Sequence, residues 1–195
     1  PGDKLRWLNE LIGHASVIPL VSSYRVLKMT HLEHHKHTNN PDLDPDYDTH
    51  APSALAALWK ALKVRNPKSE SSENYEKTLD RLDQEQAGLA RRDGIFINLC
   101  YLAVLFAMAA TGHALEAFLL WVLPLVLALV YIRFFLAWAP HHPGHETGRY
   151  HDTRAFKSLF GVIGTMGMTV HIVHHLHPRI PLDRTPAAFR EMRPI

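Results

Sequence analysis

Thr30-His31-Leu32-Glu33-His34-His35-Lys36-His37-Thr38 is answered near the other end of the chain by His171-Ile172-Val173-His174-His175-Leu176-His177-Pro178. Both stretches carry the spacing His-x-x-His-His: His31, His34 and His35 in the first, His171, His174 and His175 in the second. Residues three and four apart share a helix face, so the imidazoles of each copy project towards a common volume. Two such faces brought together would surround a metal. Histidine clusters also occur on solvated surfaces and in tags. A tag, however, is terminal and uninterrupted, and a solvated face does not repeat one spacing on both sides of a long apolar region. Imidazole suits iron, zinc, copper and nickel, so ligand type does not choose the ion. There is no His-Glu-x-x-His arrangement and no Cys-x-x-Cys pair, and the single Cys100 sits in an apolar run. Six or more nitrogen ligands exceed what one four-coordinate zinc takes up, which argues for a pair of metals.

The chain has 195 residues, one domain by size. Charged residues crowd into positions 60 to 93 and apolar ones into 95 to 139. A formal charge of +2, with no basic stripe interleaved with aromatics, argues against a nucleic-acid partner. One cysteine excludes a disulfide framework and agrees with a reducing, cytoplasmic side. The sequence begins at Pro1 without a signal-peptide pattern, and we expect a piece of a longer protein.

Outward from the first cluster, residues 24 to 37 contain no Pro or Gly and predict a helix, stopped by Thr38-Asn39-Asn40-Pro41. The acidic run Asp42-Leu43-Asp44-Pro45-Asp46-Tyr47-Asp48 reads either as a solvated loop or as carboxylates accepting the N–H of metal-bound imidazoles. Upstream, residues 11 to 22 are apolar but too short to span a bilayer and are broken by Pro19, as at a buried or interfacial helix end. His14 follows Glu10 by four, the spacing of a ligand pair, though a lone histidine is more often simply packed. Residues 53 to 64 predict an amphipathic helix at a membrane surface, and residues 62 to 93 a solvated, charged excursion without chemistry.

Residues 95 to 111 carry no charge, and residues 117 to 139 none but Arg133. At about 1.5 Å per residue both are long enough to approach or exceed a hydrocarbon core of about 30 Å. A soluble hairpin would show a clearer amphipathic period, so 95 to 139 is expected to be a transmembrane hairpin. Two crossings return the chain to the side it left, which lets the two clusters meet. Arg91 and Arg92 precede the first run, Arg133, Arg149, Arg154 and Lys157 lie near or beyond the end of the second, and the connection between them has no Lys or Arg. The positive-inside rule then puts the metal site on the cytoplasmic side. Just past the second run comes Trp138-Ala139-Pro140-His141-His142-Pro143-Gly144-His145, where a proline break can aim a histidine at the site. His141 is the expected extra ligand and His142 its competitor, while His37, His145 and His151 are expected at the surface or behind the ligands.

With these motifs in place, His31-Leu-Glu-His34-His35 before two spans and His171-Ile-Val-His174-His175 after them resemble the second and third histidine boxes of the membrane fatty acid desaturase and hydroxylase superfamily. The resemblance implies an all-α integral membrane protein, 1–195 forming one desaturase-like domain with a cytosolic histidine-rich cap. It implies two non-haem iron ions held by His31, His34, His35, His141, His171, His174 and His175, with O2 as co-substrate and a lipid C–H bond as target. Gly13-His14-Ala15-Ser16, Thr38-Asn39-Asn40-Pro41-Asp42-Leu43-Asp44-Pro45-Asp46 and His174-His175-Leu176-His177-Pro178-Arg179-Ile180-Pro181 are similar to the bacterial desaturase-like β-carotene hydroxylases, which implies a bacterial inner membrane and leans towards hydroxylation of a carotenoid ring. Fatty-acyl desaturation is the alternative. The family's first box, a histidine pair in an upstream helix, has no counterpart, so these 195 residues alone are expected to bind iron poorly and turn nothing over.

No side chain oxidises an aliphatic C–H bond, so a redox metal must supply the oxidant. No Gly-x-Gly-x-x-Gly fingerprint or iron–sulfur cysteine pattern is present, and electrons are expected from an external carrier such as ferredoxin. A bis-histidine haem protein would need histidines inside its spans, and residues 95–111 and 117–139 contain none. A metal-binding or transport protein would line a path with intramembrane ligands, for which Asn98 and Arg133 are poor candidates.

Overall fold

A computed structural model describes residues 5–63, 69–145, 148, 150–156 and 158–192. Arg149 and Lys157 of the charge argument, and residues 64–68 of the expected excursion, lie outside the described residues. Among those described the chain is helical, its nearest approach to a sheet being one antiparallel bridge between Ala155 and Val170. It divides into two compact units, Pro1–Leu32 with Tyr75–Leu129 and Glu33–Asn74 with Val130–Ile195.

The first unit opens with α1 (Arg6–Val17), which tightens at Pro19 into a turn that Val21 closes in the left-handed region at φ 53°. Next comes α2 (Tyr24–His37), whose last turns enter the second unit. Gly13 allows α1 to approach it, since a Cβ at that position would fall 2.5 Å from the Tyr24 ring. The spanning pair is α5 (Gln84–Ala110) and α6 (Ala114–His141), joined through Gly112 at φ 86°. Only 6% and 11% of their most apolar windows are buried. Phe96, Phe106 and Leu120 stand at least 70% exposed, as lipid-facing side chains do and those of a soluble core helix do not. Val21, Tyr101 and Leu125 make the small core, with Trp121 packed edge-on to Tyr101 and donating to the Pro19 carbonyl at 3.3 Å.

One boundary differs from expectation. α5 begins at Gln84 rather than near Ile95, because Asp83 caps it by accepting from the Gln86 N–H at 2.8 Å. Its polar turns are held from the side: Arg91 bonds Glu76 and Asp80, on α4 (Glu70–Arg81), and Asp93 bonds Arg25. The end of the charged excursion is therefore the foot of the first span.

In the second unit, α3 (Ala54–Leu62) is capped by Ser53 and leaves Leu55, Trp59 and Leu62 exposed. The end of α6 is wound as a π-helix over Ile132–Trp138, the kind of segment that re-aims the side chains following it. Within it the buried Arg133 pairs with the buried Asp48 and donates to Ser71 at 3.1 Å. α7 (Leu159–Gly164) lies against this stretch, its Gly164 backbone over the Phe135 ring and its carbonyl taking the Tyr131 hydroxyl at 2.7 Å. Then come α8 (His171–Leu176) and α9 (Thr185–Met192).

Candidate metal centre

Three helix ends build the site. The last turn of α2 supplies His34 and His35, the last turn of α6 supplies His141, and α8 supplies His171, His174 and His175. His34, His141 and His175 are all buried and place one ligand atom each within 4.8 Å of one another. Ring nitrogens meet in pairs: His34 Nε2 is 3.3 Å from His141 Nε2, His171 Nε2 is 3.1 Å from His175 Nε2, and His35 Nε2 is 3.1 Å from His174 Nε2. The His35 and His175 rings stack at 4.3 Å and the His34 and His175 rings meet edge-on at 5.1 Å, which joins the pairs into one cluster.

Behind four of the rings, the other nitrogen has a close partner. His34 Nδ1–H donates to Asp44 Oδ1 at 2.8 Å, and His141 Nδ1–H to the Asp152 carbonyl at 3.1 Å. His175 Nδ1–H points to Thr38 Oγ1 at 3.2 Å, whose own proton goes to the His34 carbonyl, and His171 Nδ1 lies 2.8 Å from Met168 Sδ. A neutral imidazole that donates through Nδ1 carries its lone pair on Nε2. Lone pairs facing at little over 3 Å repel each other and are reconciled by a shared cation, so the donor set fits a metal. The electrostatics agree. Burial, followed by the charge of His34, holds His174 below the ordinary histidine value, and burial with His171 and the other neighbouring imidazoles pushes His175 far lower, so both are in the neutral, ligating form. At His34 burial also opposes the charge, but the hydrogen bond and charge of Asp44 outweigh it and raise the pKa. Burial pushes Asp152 up to about 6, and its Oδ1 makes no hydrogen bond among the described residues.

His31 is exposed, one helical turn before His35 on α2 and within the first unit. His142 turns from the cluster to pack on Trp138 at 4.7 Å, and with Tyr47, His50 and His145 it lines a separate cavity of about 500 Å³. His37 sits 3.6 Å from Glu33, and His151 is exposed. Glu10 bonds Lys28 at 2.5 Å, while His14 packs edge-on to Tyr24. Of the acidic run, Asp44 turns inward to an imidazole and Asp48 to an arginine. Thr38, Asn39, Asp152 and Met168 also touch the site; only the adjacency of the first two to the histidine cluster hinted at this in sequence.

An all-α chain with two long apolar helices and a cluster of histidines whose ring nitrogens face one another defines a membrane protein with a candidate metal centre. It belongs to the fatty acid desaturase family, whose model ("Fatty acid desaturase") matches residues 2–195. The chain is 25% identical over 174 residues to the beta-carotene ketolase of Paracoccus sp. (strain N81106 / MBIC 01143), covering 85% of this chain and 58% of the ketolase. It is 37% identical over 57 residues to the sn-1 oleoyl-lipid 12-desaturase of Anabaena variabilis, 29% of this chain and 16% of that protein. With the sn-1 acyl-lipid omega-3 desaturase (ferredoxin) of Nostoc sp. (strain 36) it shares 43% identity over 44 residues, 23% of this chain and 12% of that protein. The chain thus spans well under two thirds of these relatives' lengths. No solved structure matches it.

Proposed function

We propose that the chain forms part of an O2-dependent membrane oxidoreductase with two non-haem irons, acting on a lipid C–H bond and leaning to the ring of a carotenoid. Its ligands are His31, His34, His35, His141, His171, His174 and His175. The observation that carries the reading is the Nε2-to-Nε2 pairing of the imidazoles. His31 joins them on helical spacing, since one turn before His35 it projects along the same face of α2. When bound, iron supplies the oxidising power for a C–H bond that no side chain can attack.

Everything else is the work of the chain. Asp44, the Asp152 carbonyl and Thr38 hold the rings with Nε2 inward, and burial of His34, His141 and His175 keeps water from the donors. Hydroxylation of a substrate R–H consumes O2 with two electrons and two protons, giving R–OH and water. The electrons come from an external donor of the ferredoxin class, as the name of the Nostoc relative suggests for that enzyme. The positive-inside bias argues for a cytoplasmic metal site within one desaturase-like domain, 1–195, whose 95–139 hairpin crosses the bilayer and whose 62–93 excursion stays solvated.

The carotenoid reading is supported by the ketolase, whose alignment runs through 85% of the chain. Acyl-lipid desaturation is the second reading, favoured by the higher identity of the short desaturase matches. The test is expression of the full open reading frame in cells making β-carotene, followed by pigment and acyl-lipid analysis. Oxygenated carotenoids are expected; new unsaturated acyl chains would move the assignment to the second reading. An iron-loaded protein that alters neither overturns both. His174→Ala is expected to abolish product, and survival of activity would remove it from the ligand set.

A further inference from the structure

Asn39 is the first residue after α2, buried to 4% exposure and held at φ 64°. Asparagine is among the few residues other than glycine that accept this left-handed conformation readily. Its backbone N–H donates to Asp44 Oδ2 at 2.8 Å, and the other oxygen of that carboxylate takes His34 Nδ1–H, also at 2.8 Å. Its side-chain Nδ2 donates to the Asp152 carbonyl at 3.2 Å, the same oxygen that takes His141 Nδ1–H at 3.1 Å. The Asp152 carbonyl can only accept, so it fixes the carboxamide with Nδ2 towards it and Oδ1 on the side of His50, whose Nε2 lies 3.1 Å away. His50 is itself confined: its Nδ1 is tied to the Tyr47 carbonyl at 2.8 Å, and its ring lies so close to Gly144 that a Cβ there would fall 2.0 Å from it.

We infer that Asn39 is a positioning residue that sets the His34 and His141 imidazoles in register with each other. The two rings come from helices 107 positions apart in sequence, yet their Nε2 atoms stand 3.3 Å from each other. Each is aimed by one acceptor, and both acceptors are gripped by Asn39, one through its backbone and one through its side chain. Asn39 touches neither iron nor substrate. It acts through the Asp44 carboxylate and the Asp152 carbonyl, and the inference rests on the metal-centre reading above.

Asn39→Gly separates the two arms, because glycine keeps the positive φ and the N–H to Asp44 but loses the carboxamide. Asn39→Asp keeps the size and the oxygen facing His50 but puts an acceptor against the Asp152 carbonyl. The full-length protein and both variants would be purified in detergent, loaded with iron for a chelator competition and, separately, with Co2+ for its visible spectrum. Both variants are expected to retain iron about 10- to 100-fold less well, the range for loss of a contact behind a ligand, with altered Co2+ bands. A role in stability alone would lower the melting temperature while leaving the Co2+ bands as they are. Unchanged retention and unchanged bands in both variants, or loss in Asn39→Gly with full recovery in Asn39→Asp, would overturn the positioning role while leaving the metal centre standing. A wild-type protein that binds neither metal would overturn both.

Discussion

Asp44 divides its carboxylate between two tasks: Oδ1 receives His34 Nδ1–H and the Asp46 N–H, and Oδ2 receives the Asn39 N–H. Asp44→Ala is expected to lower iron retention about 10- to 100-fold and, by stranding the Asn39 N–H, to cost about 1–3 kcal/mol of folding stability. Chelator competition and thermal unfolding read the two effects separately. The histidines also give the metal-free protein a pH signature. His174 and His175 are held below the ordinary value of 6.5, so as pH falls below it the unfolded chain takes up protons that the folded chain refuses, and stability drops. His34 has the opposite sign: its raised pKa contributes stability below 6.5 that is lost as pH rises through its folded value. His174→Gln is therefore expected to flatten the decline of melting temperature between about pH 6.5 and 5, and an unchanged slope would mean that His174 is not held neutral by the fold. At this scale the repeated spacing marked the histidines that the fold gathers. His141 was preferred to its neighbour His142 only on the proline break, and the structure turns His142 onto Trp138 instead. Asp152 could not be found either, because its contribution is a backbone carbonyl, which every residue possesses.

The helices were largely legible, and the exceptions have physical causes. α2 covers Tyr24–His37, the stretch bounded by its lack of Pro and Gly and by the stop at Pro41. The early start of α5 was hidden because hydropathy marks where lipid begins, whereas the Asp83 cap marks where the helix does. Arg133 looked like a blemish in an apolar run, but it is the anchor that fastens α6 to Asp48 and Ser71. Arg133→Met would leave the Asp48 carboxylate buried without its cation and is expected to cost about 3–5 kcal/mol, whereas the double variant with Asp48→Leu should recover part of the loss. Melting temperatures of both single variants and the double variant check this, and a double loss equal to the sum of the single losses would show that no coupling exists. On α7, a Cβ at Gly164 would fall 2.6 Å from the Phe135 ring. Gly164→Ala is expected to cost about 1–3 kcal/mol through overpacking, read by the same unfolding measurement.

At the scale of the molecule, membrane character was legible in two long apolar runs, and much of their apolar surface stands exposed. The charge bias proposes a cytoplasmic face for the histidines. With Cys100 replaced, a cysteine at His113 in the α5–α6 turn should react with an impermeant reagent added from outside the cell, and one at exposed His151 only after the membrane is opened. The reverse pattern would refute the cytoplasmic placement. The tethers behind the imidazoles have a last consequence. Because Asp44, the Asp152 carbonyl and Thr38 already fix the rings, the socket is cast before any ion arrives, and little has to move when one does. A mould made of imidazole nitrogen would grip copper or zinc at least as tightly as ferrous iron. On the proposed metal-centre reading, the element that fills it would be governed by local supply, and a full-length protein matured amid excess zinc would be correctly folded, occupied and inert.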